Sequence, residues 1–308
     1  MIVSDKRHIN FQNIINCSEN NIQKLVRSSE SYFKKQLIKI TNNIISDLYK
    51  INVILIAGPS CAGKTTFTKM LCEKLITEGA KPVMVSLDNV FKNRDDTPFL
   101  EDGVTRDYES LKGLNLEQLH GDFHELRTKK KAKFPVFDFV NGKNIKDQLP
   151  ITMTKETVVV LEGTHALNPE ILKCVEFKGV YKIFVCPDSE FVYKKQIVIN
   201  GEQLRYMRRI VRDRVSRGND PLTTFINWPK VLAGEQLYIN QFKYTADAIV
   251  DTVYEYELAL YRYYLYDVLD EMKYSSDALY LHNLLGKLKG FDKSIIPEFS
   301  LMWEFIKE

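Results

Sequence analysis

The chain has 308 residues, 43 Lys and Arg against 40 Asp and Glu for a net charge of +3, and 44% hydrophobic and 27% charged residues. That length fits one large domain or two modest ones, the composition is that of an ordinary globular chain, and the small basic excess makes no case for a nucleic-acid partner. Cys17, Cys61, Cys72, Cys174 and Cys186 lack C-x-x-C pairing or metal-ligand spacing, and neither a signal-peptide core nor an apolar run of the ~20 residues that span a bilayer occurs, so a cytoplasmic protein with reduced thiols and no membrane partner is expected.

In chain order, residues before 19 carry little signal. Over 19–50, Ile22, Leu25, Val26, Phe33, Leu37, Ile40, Ile44 and Leu48 recur every three or four positions opposite lysines and asparagines. That spacing predicts a helix, packed on the core in preference to serving as a partner arm. Val53–Ala57 is an uninterrupted apolar run and predicts a buried parallel strand. Gly58-Pro59-Ser60-Cys61-Ala62-Gly63-Lys64-Thr65-Thr66 follows, and Phe67, Met70, Leu71 and Leu75 then give a helix one apolar face. A strand, G-x-x-x-x-G-K-[ST] and a helix form a phosphate-binding loop in its required context. Gly58 and Gly63 allow a tight turn whose amides, with the helix N-terminus, face phosphate oxygens. Lys64 adds a point charge, and the Thr65 hydroxyl is placed to ligate the Mg²⁺ of a nucleoside triphosphate such as ATP.

Gly79 and Pro82 end that helix, Val83–Leu87 is a second strand, and Asp88 follows it. Residues 89–112 predict a long functional loop, and 114–127 another helix. Lys129, Lys130, Lys131 and Lys133 form a charge run of the kind that decorates a solvated face. Phe134–Phe139 and then Asn141-Gly142 predict a hairpin with its return near 151–153. Thr157–Leu161 is a third strand, capped by Glu162-Gly163; 181–185 and 246–250 complete the set. The tail from Tyr254 is helical and rich in tyrosine. Strands alternating with helices imply a three-layer α/β sandwich with a parallel sheet, here of the P-loop NTPase type. The expected division is an N-terminal helical extension (1–50), a core with substrate hairpin and arginine-rich lid (51–253) and a C-terminal helical extension (254–308).

Ligands of open α/β sheets bind outside the carboxyl ends of the strands. Asp88 and Glu162 fall there beside the loop, where a carboxylate can hold Mg²⁺ or take the proton of an attacking hydroxyl. Arg205, Arg208, Arg209 and Arg212 share one helix face, with Leu204, Met207, Ile210, Val211 and Val215 opposite; Arg214 falls among the apolar positions, as though the helix loosens there or Arg214 points inward. The arginines could be a solvated surface, a nucleic-acid stripe, or groups that stabilise a transferring phosphoryl; a lid that also carries Arg217 suits the third use. His165 is expected to satisfy a backbone carbonyl, His120 and His124 to lie on the surface or in packing, and Trp228 and Trp303 to be core anchors.

From about Ile51 to Asp251 the chain resembles the uridine kinase and phosphoribulokinase family of P-loop kinases, most closely the bacterial uridine kinase-like nucleoside kinases. The resemblance is carried by GPSCAGKTT at 58–66, SLDNVF at 86–91, DYESL at 107–111, FPVFDF at 134–139, LEGTHALNP at 161–169 and RRIVRDRVSRG at 208–218. It implies phosphoryl transfer from ATP to the 5′-hydroxyl of a pyrimidine nucleoside, and a possible homo-oligomer. By position Asp88 matches the catalytic carboxylate near the metal, Glu162 the Mg²⁺-associated acid and Thr65 the metal-binding hydroxyl. Glu109 falls where an aspartate holds the ribose hydroxyls, and Arg209, Arg212 and Arg217 match lid arginines that contact phosphates and substrate. Phe137, however, replaces the tyrosine of the substrate hairpin, Asn141-Gly142-Lys143 offers no base-reading histidine, and Asn219 replaces a further lid arginine. Phe137 can still stack on a base, but losing hydrogen-bonding groups relaxes or redirects specificity. The alternatives are a kinase of a sugar phosphate or other small alcohol, and a non-catalytic nucleotide-binding or RNA-associated protein, in which Asp88 and Glu162 would have no task.

Overall fold

A five-stranded sheet, its strands Val53–Ala57 and Thr157–Glu162 buried throughout, sets the frame of the molecule, seen in a computed structural model that describes residues 6–100, 103, 104 and 106–307. The chain opens with β1 (His8–Asn10), α1 (Phe11–Asn20) and α2 (Ile22–Ser46). Next come β2 (Val53–Ala57), α3 (Lys64–Thr77) and β3 (Lys81–Ser86), then an irregular stretch with short 3-10 turns, one of them Leu87–Val90. α4 (Leu116–Lys129), the hairpin strands β4 (Lys131–Asp138) and β5 (Lys143–Thr152), β6 (Thr157–Glu162) and α5 (Pro169–Val175) follow. The second half holds β7 (Val180–Cys186), β8 (Glu190–Tyr193), β9 (Gln196–Ile199), α6 (Gly201–Arg217), α7 (Pro221–Tyr238) and β10 (Ala248–Asp251). α8 (Glu257–Glu271), α9 (Ser276–Leu285) and α10 (Trp303–Ile306) complete it.

The main sheet runs β10-β7-β2-β6-β3, every pair parallel. Successive side chains of its strands alternate between two apolar layers. Ile54, Ile56, Val160 and Val185 meet Phe33 and Leu37 of α2, Phe67 and Leu71 of α3, Met207 of α6 and Leu258 of α8. Val53, Leu55, Val159 and Phe184 meet Leu119, Phe123 and Leu126 of α4 and Ile171 of α5. The expected three-layer α/β sandwich is present, with the five expected strands shifted by two residues or fewer at their ends. The hairpin pairs antiparallel with a register shift between Phe134 and Val136, beside Pro135. Among the described residues no helix is long and apolar enough to cross a membrane.

Three features depart from the expectation. The helix expected over 19–50 breaks at Asn21, whose side chain accepts from the Lys24 amide and caps α2; asparagine competes with the helix backbone and favours caps. β1 pairs parallel with β8, which pairs antiparallel with β9, giving a small separate sheet; strands this short show no alternating pattern long enough to detect. Past Gly218, where no helix is expected from the sequence, Asp220 is the N-cap of an 18-residue helix with Pro221 in its first turn, a start signal that the residues do carry.

Candidate active site

The phosphate loop leaves β2 at the middle of the main sheet. At Gly58, φ is +155° and a Cβ would stand 2.0 Å from the Val185 carbonyl oxygen of β7, so this position requires glycine. Gly63 has φ +90° and is the N-cap of α3 with no side-chain cap of its own. Lys64 Nζ donates to the Pro59 carbonyl at 2.9 Å, bent back over the loop.

The loop's outer side is gripped by side chains from remote helices. Arg205 donates to the Ser60 carbonyl at 3.0 Å and makes a two-pronged ion pair with Glu235 of α7, 2.7 Å on each arm. Glu235 also accepts from the Ser60 amide at 2.9 Å. Arg208 donates to the Cys61 carbonyl at 3.2 Å and forks onto Glu257 at 2.9 and 2.7 Å. The Thr252 hydroxyl donates to the Ala62 carbonyl at 2.8 Å. Three successive carbonyls are thereby held from behind.

Pairing in the sheet positions the acids. Ser86 and Ile56 both lie opposite Glu162, so the ends of β3, β6 and β2 stand abreast beside α3. Glu162 Oε1 accepts from the Ser86 hydroxyl at 3.1 Å and lies 3.5 Å from the Thr65 hydroxyl. Burial raises the Glu162 carboxyl, with Lys64 pulling it down and Asp88 pushing it up. Asp88 keeps one face open to solvent, yet the protein crowding it raises its carboxyl too, against the charge of Lys64. Two acids and one lysine thus share an electrostatic neighbourhood at the carboxyl end of the sheet.

The arginine face is divided. Arg205 and Arg208 are 2% and 0% exposed, so these two form neither a solvated surface nor a nucleic-acid stripe: charge this deeply buried is paired. Arg209, Arg212 and Arg217 instead gather on buried Asp213, at 3.4, 2.9 and 3.2 Å. Arg214 neither breaks the helix nor points inward; it is exposed and donates to the Tyr264 carbonyl.

Beyond Asp88, the Asn89 side chain accepts from the Phe137 amide at 3.1 Å, and Asn144 donates to the Asn89 and Phe91 carbonyls. These bonds fix the hairpin against the strand end. Phe137 is buried and meets Phe91 edge-on, 6.1 Å between centroids, and Phe91 meets Tyr108 in the same way. Glu109 lies under Gly234 of α7, where a Cβ would approach it to 3.1 Å; burial raises its carboxyl, Arg209 lowers it, and Glu235 and Asp107 raise it further. His165 is 5% exposed and packs edge-on against Tyr238, with burial holding its imidazole down at about 4. His120 and His124 lie on the surface, Trp228 is buried beside Arg205, and Trp303 bonds the Pro297 carbonyl.

The structure therefore sets Thr65 beside Glu162, with Lys64 and Asp88 in the same electrostatic neighbourhood; Glu109 is paired by charge with Arg209, and Phe137 belongs to the aromatic group of Phe91 and Tyr108. Four residues of this neighbourhood escape the sequence reading: Asp213, Glu235, Glu257 and Glu304, whose carboxylate accepts from the Thr66 amide. Asp213 stands four residues from both Arg209 and Arg217, a helical ion-pair spacing that the residues display; the other three act across long sequence separations.

The chain matches the Phosphoribulokinase / Uridine kinase family over residues 53–259, more than half its length. It is 30% identical to a uridine kinase of Macrococcus caseolyticus over 169 residues, 55% of this chain and 72% of that protein. It is 26% identical to a uridine kinase of Mycoplasma genitalium over 199 residues, 64% and 84% of the two chains. Among solved structures, a possible uridine kinase from Bacillus stearothermophilus aligns over 71% of this chain and 98% of its own, with a TM-score of 0.48 and 15% identity. With the loop, both strand-end acids and the hairpin inside the matched span, the chain belongs to the phosphoribulokinase/uridine kinase family of P-loop kinases.

Proposed function

We propose that this protein transfers the γ-phosphate of ATP to the 5′-hydroxyl of a nucleoside of the uridine or cytidine type. The observation that carries the reading is the Glu162 carboxylate 3.5 Å from the Thr65 hydroxyl at the start of α3, with Asp88 just past the end of the adjoining strand β3. Residues 58–66 would hold the nucleotide phosphates, through amides whose carbonyls are tied back on the other side. Thr65, Asp88 and Glu162 are oxygen donors suited to a Mg²⁺ shared with phosphates, a hard cation that takes few protein ligands. When bound, the metal would offset charge on the β- and γ-phosphate oxygens.

In this reading Asp88 accepts the proton of the acceptor hydroxyl. That oxygen forms a bond to the γ-phosphorus as the bond to the β–γ bridging oxygen breaks, and ADP leaves. Asp88 is exposed just past the end of β3, where an acceptor hydroxyl can reach it. Lys64 with Arg209, Arg212 and Arg217 spreads the charge of the transferring group, and Asp213 holds the three arginines on one side of the loop. Glu109 would take ribose hydroxyls and Phe137 would stack on the base.

Two observations favour a nucleoside over a phosphorylated sugar. The wall at Phe137, Phe91 and Tyr108 is aromatic, and Glu109 sits among Asp107 and Glu235 with Arg209 as the opposing charge, surroundings that repel a second phosphate. The names of the curated relatives, uridine kinase in each, support the same choice. ADP release measured across nucleosides and sugar phosphates tests it. Turnover with a pyrimidine nucleoside, falling about 10²–10⁴-fold in Asp88→Asn, is expected. Turnover only with a sugar phosphate overturns the acceptor, and equal rates in both proteins remove Asp88 from the chemistry.

A further inference from the structure

A helix leaves its first backbone amides without partners inside the helix. In α3 the Phe67 amide returns to the Gly63 carbonyl at 3.0 Å, and Gly63 has no side chain with which to cap. The Thr66 amide instead donates to Glu304 Oε2 at 3.1 Å, a carboxylate 238 residues further along the chain. The rest of the C-terminal segment is seated at the same place. Leu301 fills the space above Gly63, where a Cβ would come within 2.7 Å of its methyl, and the Phe305 ring lies 4.9 Å from the Arg208 guanidinium. The Ser216 hydroxyl, near the end of α6, donates to the Lys307 carbonyl at 2.8 Å.

A carboxylate on an amide at the start of a phosphate-loop helix occupies ground that a phosphate oxygen would use. Its charge also reaches Arg212 and Glu162, as a phosphate there would. Glu304 could yield that ground in two ways. Peeling the whole segment away would expose Leu301, Met302, Phe305 and Ile306, all fully buried. Rotating Glu304 alone leaves those four side chains in place, its own side chain being half-buried.

We propose that Glu304 is a built-in competitor for the nucleotide phosphates: it holds the Thr66 amide and swings off, with α10 staying in place as a wall of the site, when a triphosphate binds. This rests on the reading of residues 58–66 as the ATP site. The C-terminal segment would then set nucleotide affinity without touching the acceptor. A helix cap with no such role would stabilise α3 and leave affinity alone.

Calorimetric titration with Mg·ATP, with tripolyphosphate and with adenosine separates these, using wild type, Glu304→Ala, Glu304→Gln and Lys64→Ala. Glu304→Gln keeps the shape and an acceptor oxygen, so it guards against a folding defect in Glu304→Ala. The expected result is Mg·ATP and tripolyphosphate binding about tenfold tighter to Glu304→Ala, about 1.4 kcal/mol. Glu304→Gln should gain in the same direction and adenosine should gain nothing. Unchanged or weaker Mg·ATP binding in both Glu304 variants, with binding lost in Lys64→Ala, overturns the competitor and leaves the kinase reading standing. No Mg·ATP binding by wild type or either Glu304 variant overturns the ATP site itself, and the competitor with it.

Discussion

At the scale of single residues, His165 shows how the site's surroundings act on stability. Burial beneath α7 holds its imidazole at about 4, below the ordinary 6.5, so the folded protein keeps the ring neutral where an unfolded chain would protonate it. The contribution is complete above pH 6.5 and is lost as pH falls from 6.5 towards 4. A shift of that size corresponds to about 3 kcal/mol across the window. Asp88, Glu109 and Glu162 work in the opposite sense: their carboxyls are raised, so the cost of ionising them in the folded state vanishes in acid. The His165 effect is therefore read by difference. In His165→Asn, denaturant-derived stability should decline less than in wild type between pH 6.5 and 4, the two curves converging by about 3 kcal/mol. Parallel curves would show that the imidazole titrates normally in the folded protein.

At the scale of elements, α6 works as a bar behind the phosphate loop. It lays Arg205 and Arg208 against successive carbonyls and braces them on acids from α7 and α8. Periodicity alone places Arg205, Arg208, Arg209 and Arg212 on one face. What it does not contain is the identity of Glu235 and Glu257 as partners, because that depends on how three helices cross at the sheet's end. The Asp213 cluster differs, being written into i, i+4 spacing within one helix. The Arg208–Glu257 pair has both side chains at 0% exposure, where losing one partner leaves a charge buried alone. Glu257→Gln should cost about 3–5 kcal/mol. The double variant Arg208→Met/Glu257→Leu should recover much of that loss while weakening nucleotide binding, since the grip on the Cys61 carbonyl goes with it. Thermal melts of the three proteins check the first statement. Mg·ATP titration of the double variant checks the second, and unaltered affinity there would show that the loop holds its shape without the bar.

At the scale of the whole molecule, the central sheet was legible because each of its strands is a short apolar run bounded by polar or glycine-containing turns, and the phosphate loop fixes which strand comes first. The small sheet was not, because β1 and β8 pair across a separation of about 180 residues with three residues each. The packing of α2 on the core is legible in its three-and-four spacing, whereas the layer that α2 and α8 share with α3 and the sheet depends on contacts distant in the chain. Leu25, Val26, Phe33, Leu37, Ile40 and Ile44 of α2 are all buried. Burying each such side chain is worth about 1.5–3 kcal/mol before the entropy of ordering the helix is subtracted, so removing α2 strips one face of the sheet of its apolar cover. A chain cut to residues 51–253 should therefore show no cooperative melting transition, whereas the full chain should unfold in one, with α2 and α8 protected from hydrogen exchange as long as the sheet is. If the fragment melts cooperatively and still responds to Mg·ATP, the terminal segments are separable additions to a kinase core that folds alone.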